Sequence, residues 1–291
     1  MTLNEEGYTI LASRALKKKV ACLTLDVEQD YGTLLEEPSY DGIEHIPDLV
    51  KFFKGRDIPL TCFVQGSLLE THPTQIKQLG AMDVEFELHS FSHLGAKDAD
   101  AKFEIESGKR AYRNYFGREP MGYRCPDGVI NQEGYQILAA NGFKFDSSIF
   151  PSLRPGAFSN LRTPVKPYLL SNTKIIEFPI SVPSSIIRIP IALSYIKLLG
   201  KPYFYFLKTF ALPGLIVFDF HLHDLFQLDS AKNIPLEKHS FIYRWIYKRI
   251  YQGGGSGLRI LDEFITMLEK RGYTFLKLVD VYEMLSEEAC E

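Results

Sequence analysis

At 291 residues, 45% of them hydrophobic and 24% charged, the chain is long enough to bury one large α/β core and has the composition of an ordinary globular protein. Its formal charge of −3 and isoelectric point near 6.2 exclude the basic footprint of a nucleic-acid binder. Four cysteines, Cys22, Cys62, Cys125 and Cys290, form neither a CxxC pair nor a framework spacing, so they read as reduced thiols of an intracellular protein.

The N-terminal MTLNEEGYTILASRALKKK carries acids where a signal peptide needs positive charge and lacks an adequate apolar stretch, which predicts a cytoplasmic protein. The basic run RALKKKV (14–20) reads as a solvated lead-in to a buried strand, KVACLTLDVE (19–28). The segment 42–59 spaces Ile43, Ile46, Leu49, Val50 and Phe53 as a helix that stops at Gly55. A second strand (60–66), a short helix (72–82) and a third strand, VEFELH (84–89), follow. The next helix covers 98–117, with Asp98 or Asp100 as N-cap and Gly117 as its stop. Strand MGYRCP (121–126), a helix over 131–142 and strand FKFDSS (143–148) continue the alternation. KIIEFPIS (174–181) and LIVFDFHLH (215–223) are two more strands. An amphipathic helix (258–272), a strand (273–280) and a last helix (281–288) complete the chain.

Strand followed by helix, repeated in this way, implies parallel strands covered by helices. The length favours a distorted or incomplete (β/α) barrel of seven or eight parallel strands in a single domain, 1–291, with its core at about 20–285. The aromatic, lysine-punctuated stretch 186–218 has no run near the ~20 apolar residues that span a bilayer. It reads as a cap over the site, with an interfacial surface or an ordinary barrel helix as alternatives. QGGGSGL (252–258) reads as a flexible loop, because no strand directly precedes it as a phosphate cradle requires.

Chemistry in such folds gathers at the carboxyl ends of the strands. There the first strand puts Asp26 and Glu28 on one face, with Asp30 just beyond. Two neighbouring carboxylates are hard to keep ionised without a cation. The third strand delivers His89 and His93, the fourth Arg124, the fifth Asp146 and the seventh His221 and His223. A carboxylate with two imidazoles suits a divalent metal of the zinc type, leaving a second carboxylate as base and a distant histidine as acid. The pair is no metalloprotease helix: Ser90, Phe91 and Ser92 stand between the histidines, without the glutamate of HExxH.

Five segments in order, LTLDVEQDYG, HSFSH, YRCP, FDSS and FHLHD, resemble the motifs of the polysaccharide deacetylase family, carbohydrate esterase family 4. The resemblance implies a distorted (β/α) barrel and a metal-dependent deacetylase that hydrolyses an N- or O-acyl group, usually acetyl on an amino sugar. It implies His89 and His93 as metal ligands, Asp26 as general base and Arg124 as the partner that orients and charge-pairs that base. His221 or His223 becomes the general acid, with His221 favoured, and Asp146 the acid that orients this histidine. Val27 follows Asp26 where the common form has a second aspartate. The metal-binding carboxylate therefore moves to Glu28, as in the Asp-x-Glu branch, which includes enzymes acting on lipid-linked amino sugars at the cytoplasmic membrane face. Asp30 is the weaker candidate.

Cys125 and Asp127 depart from the third motif, so the sugar-binding wall, Tyr123, Cys125, Pro126 and Asp127, differs from the family's. The expected cofactor is one divalent ion, zinc first, with cobalt, nickel or manganese as alternatives. The expected substrate is an N-acylated sugar, free, nucleotide-linked or lipid-linked, with no nucleic acid and no transmembrane segment, and with contact to a membrane surface left open. The rival readings are hydrolysis of a non-sugar linear or cyclic amide and a non-catalytic carbohydrate-binding protein.

Overall fold

The computed structural model describes residues 7–11, 16, 18–94, 100–154, 158–252 and 256–289. Its strands are β1 (Tyr8–Ile10), β2 (Lys19–Val27), β3 (Leu60–Val64), β4 (Val84–Leu88), β5 (Gly122–Tyr123), β6 (Phe145–Asp146), β7 (Leu153–Arg154), β8 (Phe158–Ser159), β9 (Tyr168–Leu170), β10 (Ile176–Glu177), β11 (Leu215–His221) and β12 (Tyr273–Phe275). The α-helices are α1 (Ile46–Phe53), α2 (Gly66–Thr71), α3 (Pro73–Leu79), α4 (Ala101–Phe116), α5 (Gln132–Ala140), α6 (Leu193–Thr209), α7 (Leu222–Leu225), α8 (Phe241–Tyr247), α9 (Gly257–Lys270) and α10 (Leu278–Ala289).

Strands β10, β6, β5, β4, β3, β2 and β11 lie side by side in that order, all parallel, and β12 adds to the start of β2. Antiparallel β9 and β1 extend the β10 edge. The ladder is not a closed barrel. The gap between β10 and β11 is spanned by the Ser181 N–H to the Val217 carbonyl at 3.0 Å and by an isolated bridge between Ala192 and Asp219. An α/β fold of mostly parallel strands, an incomplete barrel, is therefore what the alternation of patterns predicts and what forms.

Local chemistry sets the element ends. Asp100 caps α4 by accepting the N–H groups of Lys102 and Phe103, and Gly117, at φ 68°, ends it. Asp98, the other candidate cap, and Cys290 lie outside the described residues. The helix expected over 42–59 is split, with a 3-10 turn at Asp41–His45 leading into α1. Pro47 in the first turn of α1 has no N–H to continue a helix from upstream.

Two cores follow from the period-two alternation of β2. Leu23, Leu25 and Val27 join the layer under the helices, whereas Val20 and Cys22 face the barrel interior with Phe63, Phe145, Phe178 and Val217. Leu278, Val281 and Leu285 of α10 close the bottom of that interior. Above it the inward-facing positions turn polar, and this is where the site begins. Within the stretch 186–218, residues 193–209 form α6, which packs on α9, on β11 and on the turn after α8, and residues 215–218 begin β11. Among the described residues no helix is long and apolar enough to cross a membrane.

Candidate active site

The parallel register brings the strand ends together: His221 pairs with Asp26, and Asp26 with Phe63. Arg124, just past β5, reaches across the barrel mouth lying 4.2 Å above the Phe63 ring, and is fully buried. Its Nη1 donates to Asp26 Oδ1 at 2.6 Å and to Asp219 Oδ1 at 2.9 Å. Its Nη2 donates to Thr24 Oγ1 and Ser147 Oγ, and its Nε to the Ser147 carbonyl. All five donors of the guanidinium fork point into protein, so its orientation is over-determined.

Asp219 is a residue the motif reading missed. Burial, and then the charge on Asp26, raise its pKa to about 6. Its signal was present in LIVFDFH, where one acid interrupts an apolar strand two places before His221 and so on the same face.

Beside Asp26 lies the metal-type group. Glu28 Oε2 stands 2.7 Å from His89 Nε2 and 2.5 Å from His93 Nε2, and donor atoms of the three residues fall within 4.8 Å of one another. His89 Nδ1 lies 2.9 Å from the Arg124 carbonyl, to which it can only donate. With Nδ1 donating, the Nε2 turned towards the carboxylate oxygen either carries the proton of a cationic ring or offers a lone pair to a cation placed between them. These residues fit a divalent cation. Burial opposes ionisation of Glu28, but the charges of His93 and His221 and hydrogen bonds from His89 and His93 hold it well below its ordinary range.

The loop that carries the two histidines is bent by left-handed residues at Ser90 (φ 60°) and His93 (φ 57°). Glu104 of α4 holds that bend. Its carboxylate accepts the Ser90 and Ser92 hydroxyls, the Phe91 N–H at 2.9 Å and the Ser92 N–H at 2.8 Å. Burial disfavours the charged Glu104, yet these bonds keep its pKa below the usual value.

The two remaining histidines differ. β11 ends at His221, and His223 is reached through the turn of α7, which stacks the two rings at 4.7 Å. His221 Nε2 lies 3.7 Å from Asp26 Oδ2 and 3.8 Å from Glu28 Oε1. Burial lowers its pKa, but the Asp219 charge and a 3.0 Å hydrogen bond from Nδ1 to Asp224 raise it well above the ordinary value. Asp224 itself is held at about 2, because that hydrogen bond and the imidazolium charge outweigh burial. His223 is buried and sits next to His221, which lowers its pKa to about 3, and its Nδ1 accepts the Tyr31 N–H at 3.2 Å. It is a neutral residue of the wall.

Other expected positions are corrected. Asp146 is not the partner of the histidine; it accepts the Ser148 hydroxyl at 2.7 Å and the Ser148 N–H at 3.2 Å, and the acid at His221 Nδ1 is Asp224. The reason is topological: Asp146 ends β6, four strands round from β2, whereas Asp224 is on the helical turn that follows His221. Asp30 is not in the ligand group; Ser39 and the Gly42 N–H bind it, and burial raises its pKa to about 6.

Of the sugar wall, Tyr123 turns into the core against the Phe143 ring and Pro126 is buried. The Arg124 and Cys125 N–H groups are already committed to the Leu88 carbonyl and Ser148 Oγ, so neither is free for an oxyanion. Cys125 and Asp127, partly exposed, are the members left to line the mouth, Asp127 in a left-handed conformation at φ 59°.

Residues 13–145 match the polysaccharide deacetylase family model. A peptidoglycan deacetylase from Helicobacter pylori is 30% identical over 113 residues, which is 38% of this chain and 39% of that protein. The matched stretch thus spans less than half the length of the curated relatives. A Mycobacterium smegmatis protein described as a polysaccharide deacetylase superposes with a TM-score of 0.63 at 19% identity, covering 98% of this chain and 96% of that one. An allantoinase does so with a TM-score of 0.56 at 14% identity, covering 92% and 90%. Residues 13–145 are thus similar in sequence to the polysaccharide deacetylase family, and the chain shares a fold with the Mycobacterium smegmatis protein along nearly its whole length.

Proposed function

We propose that the chain is a metal-dependent hydrolase that removes an acyl group, acetyl in the first instance, from the nitrogen of an amino sugar or sugar conjugate. The observation that carries this reading is the convergence of the donor atoms of Glu28, His89 and His93 beside an aspartate clamped by Arg124. A divalent cation bound by those three residues, zinc first, supplies a Lewis acid for the acyl carbonyl and a more acidic water.

The rest of the chemistry belongs to the chain. Arg124 occupies Asp26 Oδ1 and leaves Oδ2 facing the site, 4.0 Å from His89 Nε2, so that Oδ2 is placed to take a proton from water. His221 Nε2, across the same space, is placed to hand a proton to the departing amine, which is too basic to leave without one. Asp224 fixes the His221 ring and its charge, while Asp219 positions Arg124. The Asp26-Val27-Glu28 form resembles the Asp-x-Glu branch, a resemblance that favours a lipid-linked amino sugar as substrate.

The test is acetate release from a panel of N-acetylated amino sugars, with and without chelator, alongside ring opening of a cyclic amide. Release that chelation abolishes and added zinc or cobalt restores is expected. Release that survives complete removal of metal would overturn the proposal, and ring opening without acetate release would move it to the allantoinase-like chemistry. Within the same assay, Asp224→Asn is expected to lower kcat by at least about tenfold, whereas Asp146→Asn leaves it close to wild type.

A further inference from the structure

The helix that walls the site on one side is unfinished on the other. The inner face of α8 and the turn after it buries Tyr247 and Ile250, and Tyr251 brings its ring 5.6 Å from His223. The outer face leaves Phe241 77%, Ile242 68% and Trp245 52% exposed. Three large apolar side chains in five residues of solvent-facing helix form a patch that monomeric proteins normally cover.

The charge around the patch runs against that of the whole protein. Between Glu237 and Asp262 there is no acidic residue; Lys238 and Arg259 pair with Glu36 and Glu263, which leaves Arg244, Lys248 and Arg249 as the cations of the helix and the turn after it. A second acid-free stretch, between Glu177 and Asp219, adds Lys201 and Lys208; its other cations are engaged inward, Lys197 on the Asp224 carbonyl and Arg188 on the Pro151 and Thr163 carbonyls. The two stretches meet where Arg249 Nε donates to the Leu198 carbonyl at 2.6 Å, next to a half-exposed Leu199. In a chain of formal charge −3, the helix and turn that carry the apolar ridge thus hold Arg244, Lys248 and Arg249 and no acid.

We infer that this ridge docks on an anionic phospholipid bilayer, with Phe241, Ile242 and Trp245 entering the headgroup boundary and Arg244, Lys248 and Arg249 pairing with phosphates. Apolar residues beside cations on one helix are the pattern of an interfacial helix. A second copy is the poorer occupant: a two-fold contact would face these cations with their own images. The inference goes beyond the hydrolase reading and does not depend on it.

Trp245 is the only tryptophan of the chain, so its emission reports on the ridge directly. The full-length protein is titrated with vesicles of phosphatidylcholine alone and of phosphatidylcholine mixed with phosphatidylglycerol. A blue shift and co-sedimentation with the anionic vesicles alone, reversed by salt, are expected. Phe241→Ser with Ile242→Ser, and separately Arg244→Glu with Lys248→Glu, should each weaken binding at least about tenfold, at unchanged circular dichroism and melting temperature. Absence of any shift with anionic vesicles, or equal binding by both double variants, would overturn the inference. So would a dimer abolished by Phe241→Ser with Ile242→Ser when no vesicle is bound, since the ridge would then be a contact between copies.

Discussion

Asp26→Asn is expected to lower kcat by ~10²–10⁴-fold while the protein keeps its cation. The amide has the shape of the carboxylate, so its oxygen can still accept from Arg124 Nη1, now 2.6 Å from Asp26 Oδ1. What is lost is the basic atom on the other side, Oδ2, which faces the site. Glu28, His89 and His93 are separate side chains, and none of them depends on a hydrogen bond from Asp26. The measurement pairs kcat with metal content of the same preparation. Wild-type turnover in the variant would remove Asp26 from the chemistry, and loss of metal would make it a ligand instead.

Arg124→Met carries the largest expected cost in stability, ~3–5 kcal/mol. The guanidinium is buried between two carboxylates and also serves Thr24 and Ser147. Methionine fills much of the volume but leaves Asp26 and Asp219 buried side by side without a counter-charge. The sign of the pH dependence follows. Asp219 already titrates upward, at about 6, so its folded form holds a proton more tightly than the unfolded chain does. Arg124 lowers that pKa, so its loss moves the Asp219 carboxyl higher still; the deficit of the variant should shrink as pH falls towards about 6 and grow as pH rises above it. Urea unfolding at acid and at neutral pH measures both limits. A deficit that grows towards acid would contradict this account of the pairing.

How much of this was legible in the sequence depends on whether a role is set by local pattern or by distant contact. The long elements announce themselves: β2 through its apolar run ending in acids, and α4 and α9 through caps and amphipathic spacing. Asp26, Glu28, His89, Arg124 and His221 sit at or just past strand ends, which brings them to one mouth, whereas His93 reaches it only through the bend that Glu104 holds. Strands β5, β6 and β10 were expected to be longer than the two residues each that pair. Their flanking residues are extended but leave the ladder to bind side chains, as the Cys125 N–H does with Ser148. Helix α2 escaped because six residues give too few turns for a period to show. Asp224 was hidden by a change of geometry, since a reader who continues the strand through LIVFDFHLH cannot see that the chain coils after His221 and returns an acid to its ring. Glu104 could not be read at all, because nothing in a glutamate of a helix's first turn tells that a loop 12 to 14 residues upstream will bond to it.

That glutamate has a consequence for how the proposed cation would be received. In small zinc modules the ion is the organiser and the chain is shapeless without it. Here the template is made by the polypeptide before any ion arrives, since the bend carrying both imidazoles is tied to a sixteen-residue helix by four contacts to one carboxylate. Loading the pocket is then an exchange of solvent for ligands rather than a folding event. Such a receptacle can be emptied and refilled, and can trade one divalent species for another, with no change in the shape of the chain.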